Sequence, residues 1–249
     1  MVESPRSVVR RLAVAAAIGG AALAGAPAAP GARVVAAQGT VGGRITIVER
    51  AGSRTGDLEN AVVWLEPAAS TPVATSASGV ASTGPGAPGI VMESRRFRPA
   101  VRVVAPGSAV PFPNEDPFRH NVFSNAGPAA FDLGLYGRGE VRSARVARPG
   151  IYPIFCNIHA RMAAYVVAVP TRWYAQAGSD GRYEIAGVPA GRYHLRAWHD
   201  RGGEQARDVT VTADARVQGD IELDARGWRN LPHRNKFGQD YPPEARDRY

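Results

Sequence analysis

The 249-residue chain has one cysteine, Cys156, so it cannot form an internal disulfide. It has one lysine, Lys236; the rest of its 30 basic residues are arginine. Long helical periodicity is missing after residue 26, which excludes a helical bundle. No apolar run reaches the roughly twenty residues that a membrane-spanning helix needs. Phosphate-binding glycine loops, Ser/His/Asp patterns and paired carboxylates are also missing, so the common hydrolase and nucleotide-binding chemistries have no footing. The formal charge is +8, yet the arginines are scattered and no basic stripe is interleaved with aromatics, which argues against nucleic acid.

What is present is turn-forming residues and short apolar runs. Twenty-eight glycines and 20 prolines punctuate the chain, and the runs between them are strand-length, so the predicted class is all-β. The first 37 residues stand apart. Arg6, Arg10 and Arg11 precede an apolar run over 12–24, and small residues follow up to Val35-Ala36-Ala37. That order predicts a signal peptide, with an uncleaved membrane anchor as the alternative. The mature protein is then periplasmic or secreted, without a membrane span.

Residues 40–48 and 60–66 read as strands, and 68–89, rich in Ala, Ser, Thr, Pro and Gly, as a linker. Strands are denser over 90–170, where ten arginines against five carboxylates leave a net charge of +5. After Pro170, Gly178-Ser179-Asp180-Gly181 and Gly187-Val188-Pro189-Ala190-Gly191 mark turns between further strands up to residue 225. Residues 226–249, rich in Arg, Pro and Asp without periodicity, are expected to form a flexible tail, with His233 solvated.

In an oxidising compartment Cys156 must be buried and inert, paired with another molecule, or bound to metal. Its surroundings favour metal. Cys156, His159 and Met162 lie on one loop at spacings of three and three, and His120 follows a strand upstream. Each residue alone has an ordinary structural reading. Together, two imidazoles, a thiolate and a thioether form the soft donor set of a mononuclear copper centre. Zinc competes for thiolate and imidazole but rarely takes Met. The alternation Gly150, Tyr152, Ile154, Cys156 predicts a strand that delivers the cysteine on one face. His194 and His199 have no carboxylate at convincing spacing and read as surface histidines.

Val110-Pro111-Phe112-Pro113-Asn114 leading to His120-Asn121-Val122, and Gly150-Ile151-Tyr152-Pro153-Ile154-Phe155-Cys156 with the His159 and Met162 spacing, resemble the plastocyanin/azurin-type cupredoxins. The short Cys-x-x-His-x-x-Met loop is like that of amicyanin. The resemblance implies an eight-stranded Greek-key sandwich with one type 1 copper held by His120, Cys156, His159 and Met162. It also implies that Asn121 hydrogen-bonds across to the ligand loop. Segment 125–148 is longer and richer in arginine than a minimal cupredoxin needs.

Ser179-Asp180-Gly181-Arg182-Tyr183 and Val188-Pro189-Ala190-Gly191-Arg192-Tyr193-His194-Leu195 resemble the carboxypeptidase-regulatory-like (transthyretin-like, or prealbumin-like) β-sandwich. That family opens with strands like 43–47 and 60–65. The resemblance therefore implies one smaller sandwich built from 38–67 and 171–225, with the copper domain between them. The alternatives are a free N-terminal hairpin or extra cupredoxin strands.

The resulting expectation is a non-enzymatic, exported copper protein that transfers single electrons, with His159 as the electron port. Its partner would be a redox protein such as a c-type cytochrome, with an acidic surface drawn to the +5 domain. A copper carrier and a non-redox binding or scaffold protein are the alternatives.

Overall fold

The computed structural model describes residues 1, 37–51, 56–69 and 88–242. The expected signal peptide lies outside the described residues, apart from Met1 and Ala37, as does most of the expected linker. The described residues between 37 and 242 belong to one compact unit.

Seventeen strands follow one another among the described residues: β1 (Gln38–Val48), β2 (Val62–Pro67), β3 (Val91–Glu93), β4 (Arg96–Arg98), β5 (Val101–Val104), β6 (Ser108–Pro113), β7 (His120–Ser124), β8 (Phe131–Tyr136), β9 (Val141–Val146), β10 (Gly150–Phe155), β11 (Ala163–Ala168), β12 (Tyr174–Gln176), β13 (Arg182–Pro189), β14 (Gly191–His199), β15 (Gly203–Val211), β16 (Arg216–Gln218) and β17 (Ile221–Asp224). A single 3₁₀ turn, Leu58–Asn60, precedes β2. The protein is all-β, and among the described residues no helix is long and apolar enough to cross a membrane.

Two strand groups enclose separate cores. In the first, β13-β1-β16, with β17 pairing the later half of β1, faces the sheet β12-β2-β14-β15. Their strands alternate as half-buried strands do. Tyr183, Ile185 and Val188 of β13 meet Tyr193, Leu195 and Ala197 of β14 in one core. β1 and β2 thus share their sheets with β12–β17: Gly43 is paired with Tyr183, and Leu65 with Leu195.

In the second group, the five-stranded sheet β5-β11-β10-β7-β8 lies over the two-stranded pairs β6-β9 and β3-β4. Its core includes Phe112, Val122, Tyr136, Tyr152, Ile154, Cys156, Met162 and Val166. It has nine strands where the resemblance implied eight. Segment 125–148 supplies β8, which pairs with β7, and β9, which pairs with β6. The extra length therefore closes both layers of this sandwich.

The two groups meet through strands that are apolar on both faces. In β2, Val63 and Leu65 enter the first core, while Val62 and Trp64 point the other way. In β11, Ala164, Val166 and Ala168 enter the second core. Val167 and Val169 join Val62, Trp64, Val101 and Trp198 in a third cluster between the sheets. An unbroken apolar run such as Val62-Val63-Trp64-Leu65 is what a strand covered on both sides requires.

Candidate metal centre

Antiparallel pairing of β7 and β10, with Phe155 opposite Phe123, sets the start of β7 beside the end of β10. His120 is the first residue of β7, and Cys156 immediately follows β10. The chain then turns through His159 and Met162 into β11. The turn is closed by Cys156 N–H to the Met162 carbonyl at 3.3 Å and Met162 N–H to the His159 carbonyl at 3.1 Å.

Cys156 Sγ lies 3.7 Å from Nδ1 of His120 and 3.5 Å from Nδ1 of His159. His120 and Cys156 are completely buried, and His159 is 8% exposed. Met162 is buried in the same core cluster as Cys156. Donors bonded to a common ion at about 2.0–2.3 Å, and about 110–120° apart, stand about 3.5–3.7 Å from one another. Both thiol–imidazole distances match that spacing, and the three donor atoms all lie within 4.8 Å of one another; with a thioether buried in the same core they offer a soft set suited to copper.

The environment prepares each donor. Burial pushes the Cys156 thiol pKa up, against the backbone N–H groups of Ile158, Asn121 and His159 that favour the thiolate. Cys156 would hold a metal as the thiolate, so binding there would release its proton. Burial likewise pushes His120 down towards the neutral imidazole, although Asp116 works in the other direction. Asp116 Oδ2 sits 2.7 Å from His120 Nε2. With the proton on Nε2, the Nδ1 lone pair faces Cys156.

Asp116 has no place in the sequence reading. Its position depends on Asn114, whose Oδ1 accepts the Asp116 N–H at 3.0 Å and whose Nδ2 donates to the carbonyls of Phe118 and Tyr136. Burial would raise the Asp116 pKa, but the N–H of Arg95, the His120 ring and the N–H of Ser94 outweigh it and hold the carboxyl below its usual range. The Asn-x-Asp turn is the only local signal for this loop. Phe118 covers both imidazoles, with ring centroids at 5.2 Å from His120 and 5.9 Å from His159.

The expected hydrogen bond from Asn121 to the ligand loop comes from its backbone N–H, which faces the Cys156 thiol. Its side chain turns to β8, where Nδ2 donates to Asp132 Oδ1 at 2.6 Å beside the irregularity between Asn121 and Phe123 in the β7–β8 ladder. Two sequence expectations need correction. The expected flexible tail packs on the ligand loop over residues 233–241: Tyr241 is 4% exposed, and His233 stacks on Phe155 at 4.3 Å. Its side chains form long-range bonds to backbone that no periodicity announces. Finally, His199 is completely buried beside Asp57 and Asp200. Its Nε2 lies 3.1 Å from the Asp57 carbonyl, its Nδ1 accepts from Arg201 N–H at 3.2 Å, and Arg201 pairs with Asp57 at 2.6 Å. The ring is held by protein groups and ties the Asp57 loop to β14.

No protein-family model matches the chain. No curated protein matches it either. Among solved structures it is similar to cupredoxins. A reduced mutant of amicyanin is 25% identical, over 37% of this chain and 89% of that one, with a TM-score of 0.32. The Cu(I) form of another amicyanin mutant is 22% identical, over 43% of this chain and 99% of that one, at 0.33. A purple cupredoxin from Nitrosopumilus maritimus is 17% identical, over 32% of this chain and 97% of that one, at 0.29.

Proposed function

We propose that this chain is an exported cupredoxin that holds one copper ion with His120, Cys156, His159 and Met162 and passes single electrons between redox partners. The observation that carries this reading is the convergence of two imidazole Nδ1 atoms on one buried thiol, at 3.7 and 3.5 Å, with a buried methionine closing the loop. Bound there, copper supplies a one-electron Cu(I)/Cu(II) couple. The chain's own part is to hold the donors still and keep water away. Strand ends fix His120 and Cys156, Asp116 sets the His120 tautomer, and Phe118 covers both rings. His159 is the most exposed of the four candidate ligands, which supports it as the electron port.

In this reading residues 1–37 are a signal peptide and the protein acts without catalysis in the periplasm or outside the cell. Residues 90–170 are the copper domain. Residues 38–67 and 171–225 form a carboxypeptidase-regulatory-like sandwich around it, supported by the pairing of β1 with β13 and of β2 with β12 and β14. The net +5 of 90–170 favours an acidic partner such as a c-type cytochrome, at rates that fall with salt.

The test is an optical and EPR spectrum of the Cu(II)-loaded protein, then stopped-flow mixing with a c-type cytochrome and metal analysis of both proteins. An intense thiolate-to-copper band, lost in Cys156→Ser, with fast electron exchange and copper retained, is the expected result. Copper passed to a chelator or partner with negligible electron exchange would make the protein a carrier instead. A coloured centre surviving in Cys156→Ser would remove the ligand assignment.

A further inference from the structure

The C-terminal segment reaches back over the ligand loop from beyond β17. Arg50 holds its start, donating from Nε to the Arg226 carbonyl at 2.7 Å and from Nη2 to that of Trp228 at 3.0 Å. The part over the loop is internally built. Asn235 Oδ1 accepts the N–H groups of Phe237 and Gln239, each at 2.9 Å, and Asn235 N–H donates to the Gln239 carbonyl. The compact turn 235–239 presents its flanks to the metal-site wall.

Three attachments follow. Tyr241 OH donates to the carbonyl of Cys156 at 2.6 Å. Since Cys156 N–H is already directed to the Met162 carbonyl, both backbone polar groups of this residue are fixed, one by its own loop and one by the C-terminal segment. Lys236, the chain's only lysine, donates its N–H to Asn157 Oδ1 at 2.9 Å, and its Nζ pairs with Asp132 Oδ2 at 2.7 Å. Asp132 in turn accepts from Asn121, the neighbour of His120. His233 stacks on Phe155, at 4.3 Å and 19°, and meets the edge of Tyr241 at 5.2 Å. The segment thus holds Phe155, Cys156 and Asn157 in succession and reaches the His120 strand through Asp132.

We propose that residues 233–241 are a strap that positions Cys156 for the metal, making Tyr241 and Lys236 positioning residues that govern how tightly copper is held and how the thiolate couples to it. The proposal rests on the copper reading for its spectroscopic consequences, but the positioning of the loop is a property of the apoprotein. Without the Tyr241 hydroxyl the Cys156 carbonyl loses a strong hydrogen bond in a buried place, and the loop gains freedom. Groups that orient metal ligands from behind typically change metal affinity 10–100-fold when removed.

The experiment uses the full chain with Tyr241→Phe, which keeps the ring against His233, and Lys236→Met, which keeps the stem. In the apoprotein, amide hydrogen exchange at residues 157–159 is expected to speed up in both variants while exchange in β13 and β14 stays as in the wild type. In the copper-loaded protein, copper loss to a chelator is expected to quicken about tenfold or more, with a displaced charge-transfer band and altered copper hyperfine splitting in EPR. Wild-type loop exchange in both variants would overturn the strap. So would faster exchange with unchanged band, hyperfine splitting and copper loss, because the strap would then be packing only. If the wild type takes up no copper, the copper reading fails, and the apoprotein exchange still decides whether the strap holds the loop.

Discussion

Oδ2 of Asp116 lies 2.7 Å from Nε2 of His120, with both side chains buried. The same carboxylate accepts the N–H groups of Ser94, at 2.7 Å, and Arg95, at 2.9 Å. Those two residues form the turn between β3 and β4, at φ of 54° and 55°, a left-handed conformation that neither side chain favours. Asp116 therefore holds an uncommon turn and, with the same group, a histidine that faces the Cys156 thiol. Through that turn it also sets Arg95, whose guanidinium lies 4.9 Å over the Phe118 ring that covers the site.

Replacing Asp116 by Asn removes the charge but keeps the size. Copper affinity is expected to fall by about tenfold or more, the usual scale for an orienting carboxylate behind a ligating histidine. Chelator competition on the Cu(I) protein measures it. Affinity equal to that of the wild type would mean that Asp116 serves the turn alone.

Met162→Leu fills nearly the same space and removes the thioether. The protein is expected to keep copper on its remaining three donors, with a reduction potential above that of the wild type, because losing a weak donor favours Cu(I). Cyclic voltammetry reads the shift. An unchanged potential would place Met162 in the core only, where its burial among Ile154, Cys156 and Val166 would still account for it.

How much of this was legible depends on how local each signal is. The strand over 150–155 announces itself because Tyr152, Ile154 and Cys156 alternate inward, and three of the four candidate ligands lie within one heptapeptide. The strands β8 and β9 were missed. In β9 only Ala144 and Val146 are buried, and Arg142 and Arg145 interrupt the apolar pattern, so an edge pair reads as loop. Asp116 was missed because its distance to His120 is set by Asn114, a side-chain clamp without periodicity. The strap reads as a flexible tail because polar composition describes its exposed surface. Its attachments, such as Tyr241 to Cys156 across 85 residues, exist only in the folded chain.

Acid should loosen the strap through Asp132. Burial acts to raise its pKa, but the Lys236 ammonium, the Gly134 N–H and the Asn121 amide outweigh it and hold the carboxyl below the ordinary value. A depressed folded pKa means that the contribution is complete above the unfolded value, about 3.9, and disappears as pH falls through the folded one. Amide exchange at Lys236, corrected for intrinsic rate, should therefore accelerate below about pH 4 in the wild type. In Asp132→Asn it should be fast already at neutral pH and lose that acid dependence. Parallel profiles for the two proteins would show that other carboxylates control the strap.

Trp198 tests whether the two sandwiches unfold as one. It is 7% exposed and sits between the sheets with Val62, Trp64, Val101, Val167 and Val169, its ring edge-on to Tyr165 at 5.0 Å. None of these residues belongs to the core around Cys156. Trp198→Ala opens a cavity at the junction and should cost about 3–5 kcal/mol. That loss falls on the contact between the sandwiches more than on either core, so one cooperative heat transition in the wild type should become two in the variant. The copper spectrum at room temperature should not move, because its donors are held from other strands. Differential scanning calorimetry with the visible band followed in parallel separates the outcomes. A variant that melts in one step, with colour and heat lost together, would mean that the copper sandwich and its neighbour are joined by more than this apolar seam, and the strap and the Arg50 contacts would then be the next groups to cut.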